Sequence, residues 1–205
     1  MEGYVTIKEI ASYEYEDRKS VFIGWAAPVS TEAEALKFLE SVKKKYPDAR
    51  HHVYAYVLRE NLTMRFSDDR EPQGTAGMPV LDVIRKNGCT DTVIVVVRYF
   101  GGTLLGTGGL VKAYTEAALG ALKGGEIIRY DVYSSFVISV SYSDYGKITA
   151  PLSDIGFRIT DTEYREGVEI SGSLLRSDEE KLIKKLADLT SGRAVLTKIE
   201  EKFDF

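Results

Sequence analysis

Three carboxylates, Asp68, Asp69 and Glu71, stand in the turn Arg65-Phe-Ser-Asp-Asp-Arg-Glu-Pro-Gln-Gly-Thr-Ala-Gly77. Carboxylates this close can hold Mg²⁺ through oxygen ligands, and one with a raised pKa can move a proton as a general acid or base. A third reading needs no ligand: an Asx-type turn closed by Pro72 and Gly74. A second group follows in Val95-Val-Val-Arg-Tyr-Phe-Gly-Gly-Thr-Leu-Leu-Gly-Thr-Gly-Gly-Leu-Val-Lys-Ala-Tyr114. Here Arg98 sits at the end of a β-branched run, ahead of Gly101, Gly102, Gly106, Gly108 and Gly109. Glycine lets backbone approach a ligand closely, and a helix start behind such a loop favours an anion.

That anion site would use Arg98, Thr103, Gly106, Thr107, Gly108 and Lys112. No nucleotide motif is present, however. Gly106-x-Gly108 meets Val111 where a dinucleotide fingerprint needs glycine, and Gly106 is followed by Thr107-Gly108 where a P-loop needs lysine. The other reading is that these glycines only allow a helix to pack tightly on a strand.

A third set is cationic and aromatic. Lys43, Lys44, Lys45, Arg50, His51 and Arg59 gather around Tyr46, Tyr54 and Tyr56 in sequence, and rings beside cations suit unpaired bases. A lysine run at a helix end also reads as a solvated face that complements the helix dipole. His51 and His52 are the two histidines, and neighbours on a strand point to opposite faces, so they are not expected to share a metal. Cys89 is the single cysteine; it excludes an internal disulfide and a cysteine-based zinc site, and reads as a packing or turn residue.

These side chains need elements to hold them. Ser12–Asp17 and Ser20–Ala27 read as strands. Thr31-Glu-Ala-Glu34 is a capping-box pattern ahead of the helical face Ala35, Leu36, Leu39, Val42, Tyr46, which Pro47 stops. Residues 52–58 alternate as a strand, with 62–66 as its hairpin partner. Pro79 opens a short helix that Asn87-Gly88 ends. Val93 to Val97 is a strand of the kind covered on both faces. Leu110, Ala113, Tyr114, Ala117, Ala118 and Ala121 then mark a long helix.

Beyond Gly124-Gly125 the order becomes β-α-β-β-α-β: Tyr133–Tyr142, Asp144–Ile155, Phe157–Arg165, Val168–Leu174, a helix behind the capping-box pattern Ser177-Asp-Glu-Glu180 with the apolar stripe Leu182, Ile183, Leu186, Leu189 and a stop at Ser191-Gly192, and Ala194–Ile199. That is the split ferredoxin-like unit. The expected architecture is α+β with two domains, residues 1–130 and 133–205, divided near Tyr130 to Val132. Residues 1–132 carry 17 basic and 18 acidic side chains and residues 133–205 carry 10 and 13, so neither is a nucleic-acid binder by overall charge. No apolar run approaches the ~18 residues of a membrane span and the N-terminus lacks a signal-peptide pattern. A cytoplasmic protein without membrane partners is expected.

The pattern S-D-D-x-E-P-x-G-T-A-G with R-Y-F-G-G-T-x-L-G-T-G-G-L-V-x-A-Y resembles the IMPACT family, in its bacterial YigZ branch. The likeness extends through Phe22-Ile-Gly-Trp-Ala-Ala-Pro-Val-Ser30 and Tyr46-Pro-Asp-Ala-Arg-His-His-Val-Tyr-Ala-Tyr56, about Ser20 to Leu122. It implies an N-terminal domain similar to one shared by a ribosomal protein and the ribosomal translocase, followed by a ferredoxin-like domain. It also implies a binding role in translation or its regulation, with RNA or the ribosome as partner and no cofactor. Two alternatives stand beside it: an enzyme acting on a phosphate-bearing small molecule through the glycine loop and acidic turn, and a protein-interaction module with a protein partner. One position departs from the family pattern, which has glycine where this chain has Arg70. If the turn requires positive φ there, arginine is strained by on the order of 1 kcal/mol.

Overall fold

A computed structural model describes residues 3–205. The chain divides into two compact units, Tyr4–Arg129 and Tyr130–Phe205, the latter taking in Gly3. The N-terminal unit runs β1 (Tyr4–Ile7), β2 (Ala11–Asp17), β3 (Ser20–Pro28), α1 (Glu32–Lys45), β4 (His51–Val57), β5 (Met64–Ser67), α2 (Gly77–Lys86), β6 (Thr92–Tyr99) and α3 (Gly106–Gly124). Strands β2 to β6 form one antiparallel sheet in the order β2-β3-β6-β4-β5.

The central strand β6 explains the layering. Its side chains alternate between two cores: Ile94 and Val96 join α2 and α3, while Val93, Val95 and Val97 join α1. A strand buried on both faces can be apolar at every position, and these five residues are fully buried. Each such side chain contributes about 1.5–3 kcal/mol relative to exposure. Helix α1 begins as the capping pattern requires, with Thr31 Oγ1 accepting from the Glu34 amide at 3.2 Å and Glu34 Oε2 accepting from the Ser30 amide at 2.7 Å.

Helix α3 lies close to the sheet because its inner face is small. A Cβ on Gly24 of β3 would stand 2.2 Å from the Ala117 carbonyl oxygen, so only glycine admits the helix there. Its start differs from expectation. The helix begins at Gly106 rather than near Leu110, so Gly106, Thr107, Gly108 and Gly109 form its first turn, and no side chain caps it. Helix α2 likewise begins at Gly77, two residues before Pro79.

The C-terminal unit contains β7 (Ile127–Val140), whose first residues belong to the N-terminal unit, α4 (Tyr142–Asp154), β8 (Arg158–Tyr164), β9 (Val168–Leu175), α5 (Glu179–Thr190) and β10 (Val195–Asp204). Its strands pair antiparallel in the order β10-β7-β9-β8. This is the ferredoxin-like arrangement that the order β-α-β-β-α-β implies. A separate core forms from Phe136, Ile138, Ile148, Leu152, Ile170 and Leu182 with their neighbours. Buried Asp144 anchors α4, accepting from Arg193 and Lys147 at 3.0 and 2.8 Å. The capping box expected at Ser177–Glu180 does not form, since the helix starts after Asp178 with no side-chain cap; its first residue, Glu179, bonds Ser134 and Lys198. Among the described residues no helix is long and apolar enough to cross a membrane.

Candidate functional site

The acidic turn folds inward. Asp68 Oδ1 accepts from the amides of Ala76 and Gly77 at 3.1 and 2.8 Å, and Oδ2 from Gly74 at 2.9 Å. It thereby satisfies donors at and before the start of α2, the work of an N-terminal cap placed eight residues upstream. Asp69 Oδ2 accepts from the His52 amide at 2.6 Å. Glu71 is buried, and its Oε1 accepts from Arg98 Nη1 at 2.6 Å and from the Tyr114 hydroxyl at 2.7 Å. The three carboxylates therefore serve three separate local structures. Among the described residues no group of three His, Cys, Asp or Glu side chains is arranged to hold a metal ion.

The Arg98–Glu71 pair is set by strand register. On β4 and β6, His51 stands opposite Arg98, and both project to the face covered by α2 and α3. The Arg98 guanidinium lies 5.4 and 5.7 Å from the ring centres of Phe22 and Phe100, within cation–π range. Phe22 meets Tyr114 edge-on at 5.1 Å. Arg98 Nε is buried without a hydrogen-bond partner among the described residues. Burial, then the Glu71 carboxylate, push the Tyr114 phenol well above the usual tyrosine range, so it stays a donor.

His51 links this buried group to the surface. Its Nδ1 donates to the Asp69 carbonyl at 2.8 Å, since a carbonyl can only accept, and its Nε2 lies 3.9 Å from Glu71 Oε1. His52 turns to the other face, where Nε2 lies 3.0 Å from the Tyr46 carbonyl. The opposite-face expectation for the two histidines holds.

Two clefts open on either side of His51. One, of about 660 Å³, is lined by Lys43, Ala49, Arg50, His51, His52, Asp69 and Arg70. The other, of about 460 Å³, is lined by Asp48, Arg50, His51, Arg98, Tyr99, Phe100 and Leu104. Sequence spacing treated Arg98 and the Lys43–His51 set as separate groups. Pairing of β4 with β6 makes them neighbours, with Arg50 and His51 lining both clefts. Phe100 and Leu104 are 56% and 81% exposed, so the second cleft has apolar material at its mouth. Tyr99 donates to Asp48 Oδ1 at 2.8 Å, and its phenol is pushed up to about 12 by burial and by that carboxylate.

Other expected residues lie elsewhere. Lys45 sits over the Trp25 ring at 3.8 Å, Lys43 pairs with Glu40 at 2.8 Å, and Lys44 is exposed. Tyr54 stacks on Tyr56 along β4. Arg59 lies past the other end of β4, bound to Asp91 and placed over Tyr4. Thr103, Gly106, Thr107, Gly108 and Lys112 are exposed around the start of α3 and line neither cleft. A Cβ at Gly106 would meet no protein atom within 4 Å, but φ there is +72°, so a substitution strains the backbone.

Residues absent from the sequence reading's binding sets are Arg70, Tyr99, Phe100, Leu104 and Tyr114. Tyr114 had one signal, a phenol in an otherwise alanine-rich helical stripe. Arg70 takes φ +71° directly after Asp69 at φ +39°, so the turn does require the left-handed region. The expected strain of about 1 kcal/mol applies to it.

The geometry can be set beside known proteins. The Impact N-terminal domain matches residues 18–122, and the Domain of unknown function (DUF1949) matches residues 138–193. The chain belongs to the IMPACT family. IMPACT family member YvyE of Bacillus subtilis is 35% identical over 195 residues, covering 95% of this chain and 90% of that protein. IMPACT family member YigZ of Escherichia coli is 37% identical, covering 91% and 93%. Protein IMPACT of Xenopus laevis is 33% identical over 94 residues, 44% of this chain and 30% of its own length. A solved structure described as a hypothetical protein is 35% identical, with TM-score 0.61 and 98% of each chain covered. Each domain match falls within one of the two units.

Proposed function

We propose that this IMPACT family protein binds single-stranded RNA, free or on the ribosome, in the cytoplasmic setting of translation. The observation that carries the reading is the pair of clefts that share Arg50 and His51. One side supplies the cations Lys43, Arg50 and Arg70 and the other supplies Arg98, Tyr99, Phe100 and Leu104. Cations that follow a phosphate backbone, next to exposed rings that accept unpaired bases, are the combination single strands require. The acids in these walls are engaged within the protein: Asp48 accepts from Tyr99, and Asp69 from His52. They therefore oppose an incoming phosphate less than their formal charge implies, which reconciles a local anion site with a chain of net charge −4.

Support for a small-molecule phosphate enzyme is thinner. Arg98 Nη1 is tied to Glu71, and Asp68 has its oxygens filled by backbone amides. The test of the RNA reading is fluorescence anisotropy of a labelled single-stranded oligoribonucleotide with the full chain across a salt series. Affinity should be weak and fall with salt, the log–log slope growing by about 0.7 for each phosphate neutralised. Arg50→Ala and Phe100→Ala should both weaken it. Affinity that ignores salt and both substitutions excludes this surface.

A further inference from the structure

Arg70 and Arg50 share one setting. Both are exposed guanidinium groups lining the 660 Å³ cleft, and neither makes a hydrogen bond or ion pair among the described residues. Of the other cations near this end of the sheet, Arg98 is committed to Glu71, Lys43 to Glu40 and Lys45 to the Trp25 ring, while Arg18, Lys19 and Lys44 line neither cleft. The His51 ring lies in the same wall, its orientation fixed by the Nδ1 bond to the Asp69 carbonyl. Asp69, the acid in the cleft, accepts from the His52 amide with Oδ2.

Backbone geometry adds a second point about Arg70. At φ +71° it occupies a conformation that glycine adopts freely and arginine does not. Among the described residues nine non-glycine positions have positive φ, so strain alone assigns nothing. What sets Arg70 apart is that the strained backbone carries a partnerless guanidinium into the cleft where another one stands. The turn is held on both sides, by Asp68 on the α2 amides and by Asp69 on β4, so the position of Arg70 is imposed from outside it.

We propose that Arg50 and Arg70, with His51 beside them, form a two-arginine phosphate clamp, and that Arg70 is retained in the turn for its charge and forked donors. Two guanidinium groups present paired N–H donors to the oxygens of one phosphoryl group, a geometry that ammonium groups do not offer. The ligand class is a phosphate oxyanion. Its source is either an RNA phosphodiester or a free phosphate compound. The inference rests on the RNA reading only for the first of these sources.

The experiment uses the full chain and Arg70→Gly, Arg70→Lys, Arg50→Ala and Lys44→Ala. Two probes are titrated: a short single-stranded oligouridylate, and inorganic pyrophosphate followed by NMR shifts of the arginine Nε and of the amides of residues 68–72. Arg70→Gly should hold or raise the melting temperature, because glycine suits the backbone. It should nevertheless weaken oligonucleotide binding roughly fivefold to tenfold, one charge-assisted contact being lost at an exposed site. Arg70→Lys should recover part of that loss, and Lys44→Ala, outside the cleft, should change it little. Pyrophosphate shifting these signals while no oligonucleotide binds would refute RNA and keep the clamp. Oligonucleotide binding that is equal in wild type and Arg70→Gly, or that falls equally in Lys44→Ala, would refute the clamp and leave RNA standing. Neither probe binding overturns both.

Discussion

The Tyr114 hydroxyl lies 2.7 Å from Oε1 of Glu71, joining the middle of α3 to a turn 43 residues earlier in the chain. Arg98 reaches the same oxygen from β6 at 2.6 Å, so one buried carboxylate ties a helix, a strand and a turn together. All three side chains are buried, and His51 provides the route from them to solvent.

Removing Glu71 should therefore be costly. Glu71→Ala leaves the Arg98 charge buried without its partner, and breaking such a pair costs about 3–5 kcal/mol. Tyr114→Phe loses a single hydrogen bond to a charged acceptor, about 1.5–3 kcal/mol. Urea unfolding of both single variants and the double variant checks this. The two effects should combine to less than their sum, because they share one oxygen.

Alkaline pH should destabilise the fold in steps. Burial raises the Cys89 thiol from 9.0 to about 11. Burial and the bond to Asp48 raise Tyr99 from 10.0 to about 12, and Tyr114 is pushed higher still. Each group loses its proton more readily in the unfolded chain, so the stability it supports is complete below its unfolded value and is lost as pH climbs through the folded one. Melting temperature should fall from about pH 9 upward, and Tyr114→Phe should flatten the fall above about pH 10. A melting temperature constant across that range would contradict the assignment.

Cys89 should be chemically silent in the native state. It is 2% exposed, and its thiol is held protonated by burial. A thiol-reactive dye should label the protein at the rate of unfolding, with labelling complete in denaturant.

Asp68→Ala should loosen the start of α2. It removes the acceptor of the Gly74, Ala76 and Gly77 amides, and loss of a capping side chain costs about 0.5–2 kcal/mol. Hydrogen exchange should accelerate at those three amides. Asp68→Asn should retain part of the protection, since its side-chain carbonyl can still accept.

Residues 127–205 should fold alone. They contain all four strands and both helices of the C-terminal unit, and its core is formed within that unit. Circular dichroism and a cooperative thermal transition of this fragment would establish independence; a fragment without a transition would refute it.

Much of the fold was legible because local rules and tertiary packing agree. The alternation of 133–142, the apolar stripe Leu182, Leu186 and the stop at Ser191-Gly192 each carry their own signal, and Ser191 takes the left-handed conformation expected of a helix end. The run Val93 to Val97 announced a strand covered on both faces, because only such a strand can be apolar throughout. Where local rules failed, a distant partner had replaced the local one. Asp68 starts α2 at Gly77 from outside the helix, and α5 begins after Asp178 with no side-chain cap while Glu179 in its first turn bonds the distant Ser134 and Lys198.

By itself, then, the sequence determined the order of the elements from β2 onward, the division into two units and the stretches that carry the IMPACT pattern, because periodicity, caps and turn residues act over a few neighbours. It also determined that His51 and His52 part to opposite faces, which follows from the two-residue period of a strand. Only the tertiary structure decided which charged side chains meet. Glu71, Arg98 and Tyr114 converge on one oxygen, and Arg50 with Arg70 line one cleft, because the β4–β6 register and the docking of α3 bring together residues far apart in the chain. Such pairing depends on long-range register, and no local period in the sequence encodes it.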